Sequence, residues 1–423
     1  MEGKFYNKKI LFLVTRPIYP ITGGREVVLY NYCKGLCEIF GAEVNLAIFT
    51  DFEKINNKMS FIKKQYRISQ PNKLEKLKNI ILQSFILRKW PLQVSIYYSK
   101  KSQKNFQNIV DEIKPDIIIC DMARTAEYVS RLKESNAKRI LDMDDLISKR
   151  YFRQLENVDD VNIFGQYKNR LPKIFLNLVD RNIMKKIILT LEGNLLKKYE
   201  KDISINFKNI IFVSPKESNE FNKITNSNKS ICITIGVDFD YYSRNVVKEK
   251  KENTICFLGN MNIPHNQTAV EHFIKNIFPK IKLEIPECKF RIVGKCSEEY
   301  FERFKDKEDV IVTGEVDDIR KYIQDCSVSI APLIYGSGIK TKILETMAMG
   351  VPIVTNSIGA EGIYVTSGKD IFVCDDINDF VINTINLIKD KELNRIISNN
   401  AKTTIETKYQ WTNTLKNMQK ILE

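Results

Sequence analysis

Twice along this chain, short apolar runs alternate with helical segments, a pattern met by a buried parallel sheet wound by helices. The first series opens with the strand KILFLVT, the turn-rich RPIYPITGG, and EVVLYNYCKGLCEIF, whose apolar residues recur at helical spacing up to Gly41. EVNLAIFT reads as the next strand, and KPDIIICD and AKRILDMDD as two more, each ending in acidic residues. Between the second and third strands lies a long basic segment, expected to be helical and peripheral. From 151 to 209 the pattern is helical and charged, and then NIIFVS and SICITIGVD add strands. The charged run KEKKEN, 248–253, marks a linker. A second series follows at once: TICFLGN, a helix through VEHFIKNIFPKIK, KFRIVG, DVIVTG, a helix at DDIRKYIQDC, SVSIAPL, a helix at KTKILETMAMG, VPIVTN and DIFVCD, with one or two helices at the end.

The expected class is therefore α/β, with two Rossmann-like doubly wound domains, 1–247 and 248–404, facing each other across a cleft. The closing stretch, 405–423, is a candidate to pack back on the first domain. At 423 residues the chain exceeds what a single core organises. Ligands of such sheets bind beyond the carboxyl ends of the strands, so chemistry is expected there.

Composition narrows the functional classes. Nine cysteines show no CxxC pairing, and several sit inside apolar runs, which reads as free thiols in a reducing compartment. Two histidines, His265 and His272, exclude a histidine-rich metal site. The apolar run after Lys8 and Lys9 is too short for a signal core, and no stretch reaches bilayer length. A cytoplasmic location is expected, with peripheral attachment at the inner face of the membrane. Lys and Arg outnumber Asp and Glu by 66 to 52, and residues 61 to 110 hold eleven basic residues against the single acid Glu75. That asymmetry suits an anionic partner such as a phospholipid surface; the alternative is a solvated lysine-rich face. Nucleic acid is not expected, because the segment lacks interleaved aromatic platforms.

The strongest local signal is IAPLIYGSGIKTKILETMAMGVPIVTN. A strand ends at Pro332, Gly336-Ser337-Gly338 form a loop, and a helix runs on to Gly350. Glycines let the backbone approach a ligand, and a helix start offers free N–H groups and a positive dipole end. Lys340 and Lys342 oppose that dipole, an arrangement that makes sense beside a diphosphate. Glu345 can accept two hydrogen bonds from a ribose diol. The alternative is a plain strand-turn-helix with surface lysines. Asp142, Asp144 and Asp145 at a strand end could hold a cation or acceptor hydroxyls, or could cap the next helix. Arg124 after CDMA is a further candidate, as are His265 and Asn266 in IPHN, the histidine equally readable as a polar cap.

Taken together, GGREVVLYNY, PLQVSIYYSKK, YEKDISINFKNIIFVSPKE, IGVDFDYY, FLGNMNIPHNQTAVEHF, FRIVG, VTGEVDDIRKYI and APLIYGSGIKTKILETMAMGVPIVTNSIGAEGI resemble, in order, glycosyltransferase family 4, of GT-B fold. The similarity covers nearly the whole chain and is strongest to the bacterial exopolysaccharide and capsule branch. It implies that Glu345 binds the ribose of a nucleoside diphosphate sugar and that the backbone at Gly338, Ile339 and Lys340 meets the diphosphate. Gly23 and Gly24 would form the loop over the phosphates, Val316 would pack beside the base, and Asn260, Ser337, Lys342 and Glu361 are the further donor-binding candidates. Three positions depart from the family pattern. Ser337 stands where a first glutamate is usual. Met261 and Asn262 follow FLGN where an arginine and a lysine are usual, which leaves Lys340 to supply the charge. Asp144 or Asp145 occupies the place of a histidine.

The resemblance further implies transfer with retention to a saccharide acceptor, lipid-linked by that branch's habit, in surface-polysaccharide biosynthesis. Asp144, Asp145 and Lys340 are the catalytic candidates, with no metal and no other cofactor. A GT-B nucleotide-sugar epimerase and a catalytically silent nucleotide-sugar-binding subunit are the alternatives.

Overall fold

The computed structural model describes residues 7–21, 23–51, 59–156, 182–247, 251–304, 307–336 and 338–423. The chain divides into two compact units, Met1–Thr234 with Leu415–Glu423, and Ile235–Thr414.

The first unit holds seven parallel strands: β1 (Lys9–Val14), β2 (Glu43–Phe49), β3 (Lys64–Ile68), β4 (Ile117–Asp121), β5 (Lys138–Asp144), β6 (Asn209–Phe212) and β7 (Ser230–Cys232). Their order is β3-β2-β1-β4-β5-β6-β7. Five of the six residues of β1 and all five of β4 are buried, as expected of strands covered by helices on both faces. The described helices include α1 (Gly24–Glu38), α2 (Lys73–Asn79), α3 (Lys100–Ile113), α4 (Ile147–Glu156), α5 (Asn182–Ser204) and α6 (Pro215–Thr225). One element departs from the sequence reading. KQYRI, within the basic segment, is strand β3 and not helix. It sits at the sheet edge, where a strand with Lys64 and Arg67 is tolerated because one side meets water.

The second unit repeats the plan with β8 (Thr254–Leu258), β9 (Lys289–Val293), β10 (Val310–Val312), β11 (Val328–Ala331), β12 (Ile353–Thr355) and β13 (Phe372–Val373), ordered β10-β9-β8-β11-β12-β13 and all parallel. Helices α7 (Pro264–His272), α8 (Thr341–Ala348) and α9 (Lys391–Lys408) belong to it. In both sheets the order reverses beside the first strand, next to β1 and β4 in one and β8 and β11 in the other. This doubly wound topology is the GT-B plan of two Rossmann-like folds.

The end of the chain is shared between the units by two side chains. Trp411 lies against Gly236 in the second unit, and Leu415 lies against Gly35 of α1 in the first. A methyl group at Gly35 would meet Leu415 Cδ1 at 2.5 Å, so the glycine is what admits the leucine. Among the described residues, no helix is long and apolar enough to cross a membrane.

Candidate functional site

In the second unit, the turns leaving β8, β9 and β11 gather at the switch point. Gly294, after β9, has φ +135°, and a side chain there would strike the Gly259 carbonyl oxygen. Only glycine lets these two turns touch. Past Gly259, the Asn260 carbonyl accepts a hydrogen bond from Asn266 Nδ2 at 2.8 Å. Asn266 is buried in the first turn of α7, and its Oδ1 accepts one from Lys342 Nζ at 2.6 Å. The Lys342 ammonium also stands 4.3 Å from the centre of the Phe257 ring. Asn260, Asn266 and Lys342 thus form one chain of contacts across β8, α7 and α8.

The loop between β11 and α8 bends at Gly336 (φ +151°) and Gly338 (φ +70°). Lys340 is the N-cap residue of α8, buried, with Nζ donating to the Gly338 carbonyl at 2.6 Å. The lysine therefore braces its own loop. Ser337 lies outside the described residues. Ile339 is buried, and Val316 packs partly buried in the apolar cluster of Leu258, Val293, Ile323 and Met349. Glu361 is half-buried in the turn after β12.

Glu345, one turn into α8, is half-buried, and no hydrogen bond to its carboxylate is made among the described residues. Burial pushes its carboxyl up to about 7. Burial, and then the neighbouring Lys340, push Lys342 down to about 7. On this one short helix, burial thus disfavours the charged form of two groups of opposite sign. His265 stands on the first turn of α7 with its ring 6.3 Å from that of Tyr335, edge to face.

The first unit finishes its switch point differently. Gly23 is the N-cap of α1, and Gly24 has open space where a side chain would be. The next residue, Arg25, was not singled out by the sequence. Its Nε donates to Asp121 Oδ1 at 2.8 Å, its Nη2 lies 2.7 Å from Asp142 Oδ2, and its Nη1 donates to Asp144 Oδ1 at 3.1 Å. Asp121 also accepts from Thr15 Oγ1 at 2.8 Å. Strand register makes this cluster, because Asp121 and Asp142 are partners across β4 and β5. Burial opposes the charge on Arg25, but the three carboxylates outweigh it and hold the guanidinium protonated. Burial lifts Asp144 to about 6 despite Arg25.

Asp144 and Asp145 therefore face different partners. Asp144 pairs with Arg25, while Asp145 is buried and pairs with Arg150 of α4, its other oxygen buried without a hydrogen bond among the described residues. Arg124 is buried against Met122 and the Tyr97 ring. Among the described residues no group of three or more His, Cys, Asp or Glu side chains is disposed to hold a metal ion. The signal for the Arg25 cluster was present in the sequence as acids ending two adjacent strands, DIIICD and RILDMD, and an arginine directly after the glycine pair.

Residues 252–390 match the family described as glycosyl transferases group 1. That match lies wholly within the second unit. Over 415 residues the chain is 26% identical to an "Uncharacterized 44.6 kDa protein in cps region" of Klebsiella pneumoniae, covering 95% of this chain and 96% of that one. Among solved structures it is similar to sucrose-phosphate synthase from Thermosynechococcus elongatus (12% identity, TM-score 0.66, 98% of each chain). It is also similar to HepE from Anabaena in complex with UDP and glucose (13%, 0.64, 98% and 99%). A third is a TarM variant from S. aureus in complex with fondaparinux, alpha-GlcNAc-glycerol and UDP (13%, 0.65, 98% and 100%). At such identities these structures speak for the fold, which is GT-B over the length of the chain.

Proposed function

We propose that this chain transfers a sugar from a nucleoside diphosphate sugar to a hydroxyl of a saccharide acceptor, with retention at the anomeric carbon. The observation that carries the reading is Glu345, a half-buried carboxylate without a hydrogen bond among the described residues, one turn inside the helix that Lys340 begins. A ribose diol supplies the two donors such a group lacks. The diphosphate would lie at Gly338 to Lys340, where the first N–H groups of α8 and the lysine charges stabilise the leaving group without a metal. The acceptor oxygen bonds to the anomeric carbon as the bond from that carbon to the phosphate oxygen breaks, and that phosphate oxygen takes the acceptor's proton. We assign the acceptor hydroxyl to Asp144 of the first unit, part of whose side chain remains open to solvent.

Uridine nucleotides are the first donors to test, since the similar HepE and TarM structures are described as holding UDP. A lipid-linked acceptor at the cytoplasmic face, in capsule or other surface-polysaccharide synthesis, fits the printed name of the Klebsiella relative. The deciding experiment is a calorimetric panel of nucleoside diphosphates and their sugars, followed by turnover with a saccharide acceptor. A disaccharide-type product of retained configuration supports the reading. Binding followed only by release of free sugar points to an epimerase, and no binding by any nucleotide overturns it.

A further inference from the structure

We infer that the outer face of α2 and its continuation is a docking surface for an anionic lipid bilayer. After α2 the helix runs on with wider, i to i+5 spacing through Ile80–Ile86, where the Leu87 N–H reaches the Leu82 carbonyl at 2.9 Å. Its inner face is settled. Ile80 and Ser84 are buried, Ser84 Oγ meets Ser95 Oγ at 2.8 Å, and Asn79 Nδ2 donates to the carbonyls of Ser95 and Tyr98. The outer face carries the apolar residues instead. Leu74, Leu77, Ile81, Leu82, Ile86 and Leu87 are each between 37% and 79% exposed. Scattered exposed leucines need no explanation, but six along about four turns of one helix do.

Charge identifies the occupant. Lys73, Lys78, Arg88 and Lys89 are exposed at the two ends of this stretch. The one acid, Glu75, is turned into the unit's own contacts, accepting from Asn72 N–H in a capping box and from Ser99 Oγ. An apolar face with cations at both ends and no free carboxylate fits a surface of anionic headgroups over acyl chains. The cations would approach the headgroups within a Debye length of about 8–10 Å, and the leucines and isoleucines would enter the interface. The inference rests in part on the lipid-linked acceptor proposed above, which would be carried on such a surface.

The test is flotation of the full chain with vesicles of phosphatidylcholine alone or mixed with phosphatidylglycerol, at low and high salt. The parent is expected to float with the mixed vesicles, to lose binding as salt rises, and to ignore phosphatidylcholine. Two variants probe the face separately: Leu77→Ser with Ile81→Ser and Ile86→Ser, and Lys73→Gln with Lys78→Gln, Arg88→Gln and Lys89→Gln. Each should weaken vesicle binding at least about tenfold and leave nucleotide affinity in solution unchanged. Should the serine variant not fold, the glutamine variant alone decides. No flotation by the parent, or undiminished flotation by the folded variants, overturns the inference. So does a parent dimer in sedimentation that the serine variant converts to monomer, because the face is then covered by a second copy. Vesicle binding without any nucleotide affinity leaves this surface standing and sinks the transferase reading instead.

Discussion

The two sheets place their strands in the same order, yet their switch points are finished in opposite ways. In the first unit, Arg25 fills the crevice edge between β1 and β4 and is held by Asp121, Asp142 and Asp144. In the second, the helix that follows β11 holds Lys342 and Glu345, both displaced to about 7, with the carboxylate unpartnered among the described residues. One topology thus yields a cluster whose charges pair with one another and a helix whose carboxylate finds no hydrogen bond among the described residues. The difference teaches that the switch point supplies only a location. Whether it becomes framework or binding site depends on whether neighbouring strand ends already satisfy the charges placed there.

The sharpest way to break this contrast is Arg25→Ala. It strands three carboxylates, two of them fully buried, and should destabilise the first unit by about 3–5 kcal/mol, read as a lowered midpoint in urea. A midpoint unchanged from the parent would mean that the cluster is no framework. Glu345→Ala should do the reverse: stability equal or higher, and nucleotide affinity lower by about 1.5–3 kcal/mol, the worth of hydrogen bonds to a charged acceptor. Equal affinity in calorimetry would reduce Glu345 to a helix residue.

Lys340→Ala should separate phosphate from nucleoside. Because the lysine sits at the N-cap beside Gly338, its loss should weaken a nucleoside diphosphate severalfold and the bare nucleoside hardly at all. Equal losses would show that the loop itself had collapsed.

The smallest effect is a proton count. Glu345 is raised from an ordinary 4.5 to about 7, so its contribution to stability is full below 4.5 and is lost as pH rises through 7. Lys342 is depressed from 10.5 to about 7, so its contribution is full above 10.5 and is lost as pH falls through 7. A diphosphate favours charged Lys342, and a diol favours charged Glu345. Nucleotide binding should therefore take up a proton at about pH 8 and release one at about pH 6, measured calorimetrically in buffers of differing ionisation enthalpy. Lys342→Met should remove the uptake and Glu345→Gln the release. The same sign at both pH values would sink the assignment.

The two wound sheets, the turn from Pro332 to Lys340 and the position of Glu345 were legible because each rests on local pattern. Buried parallel strands must be apolar along their length, and a glycine turn before a helix is written in adjacent residues. Strand β3 was not legible, since KQYRI carries no apolar period and becomes a strand only because an edge beside β2 was there to pair with. Nor could the sequence say how Asp142 and Asp144 would be used. Capping, metal binding and acceptor contact are all open to a carboxylate at a strand end. The arginine that selects among them is more than a hundred residues away, brought there by the register of β4 on β5 and the start of α1. By itself the sequence determined the repeated α/β plan and the glycine turn that leads into α8, since backbone periodicity and helix-start chemistry are local. Only the tertiary structure decided which of the charged residues find partners within the fold, because pairing and burial depend on what distant strands bring within a few ångströms.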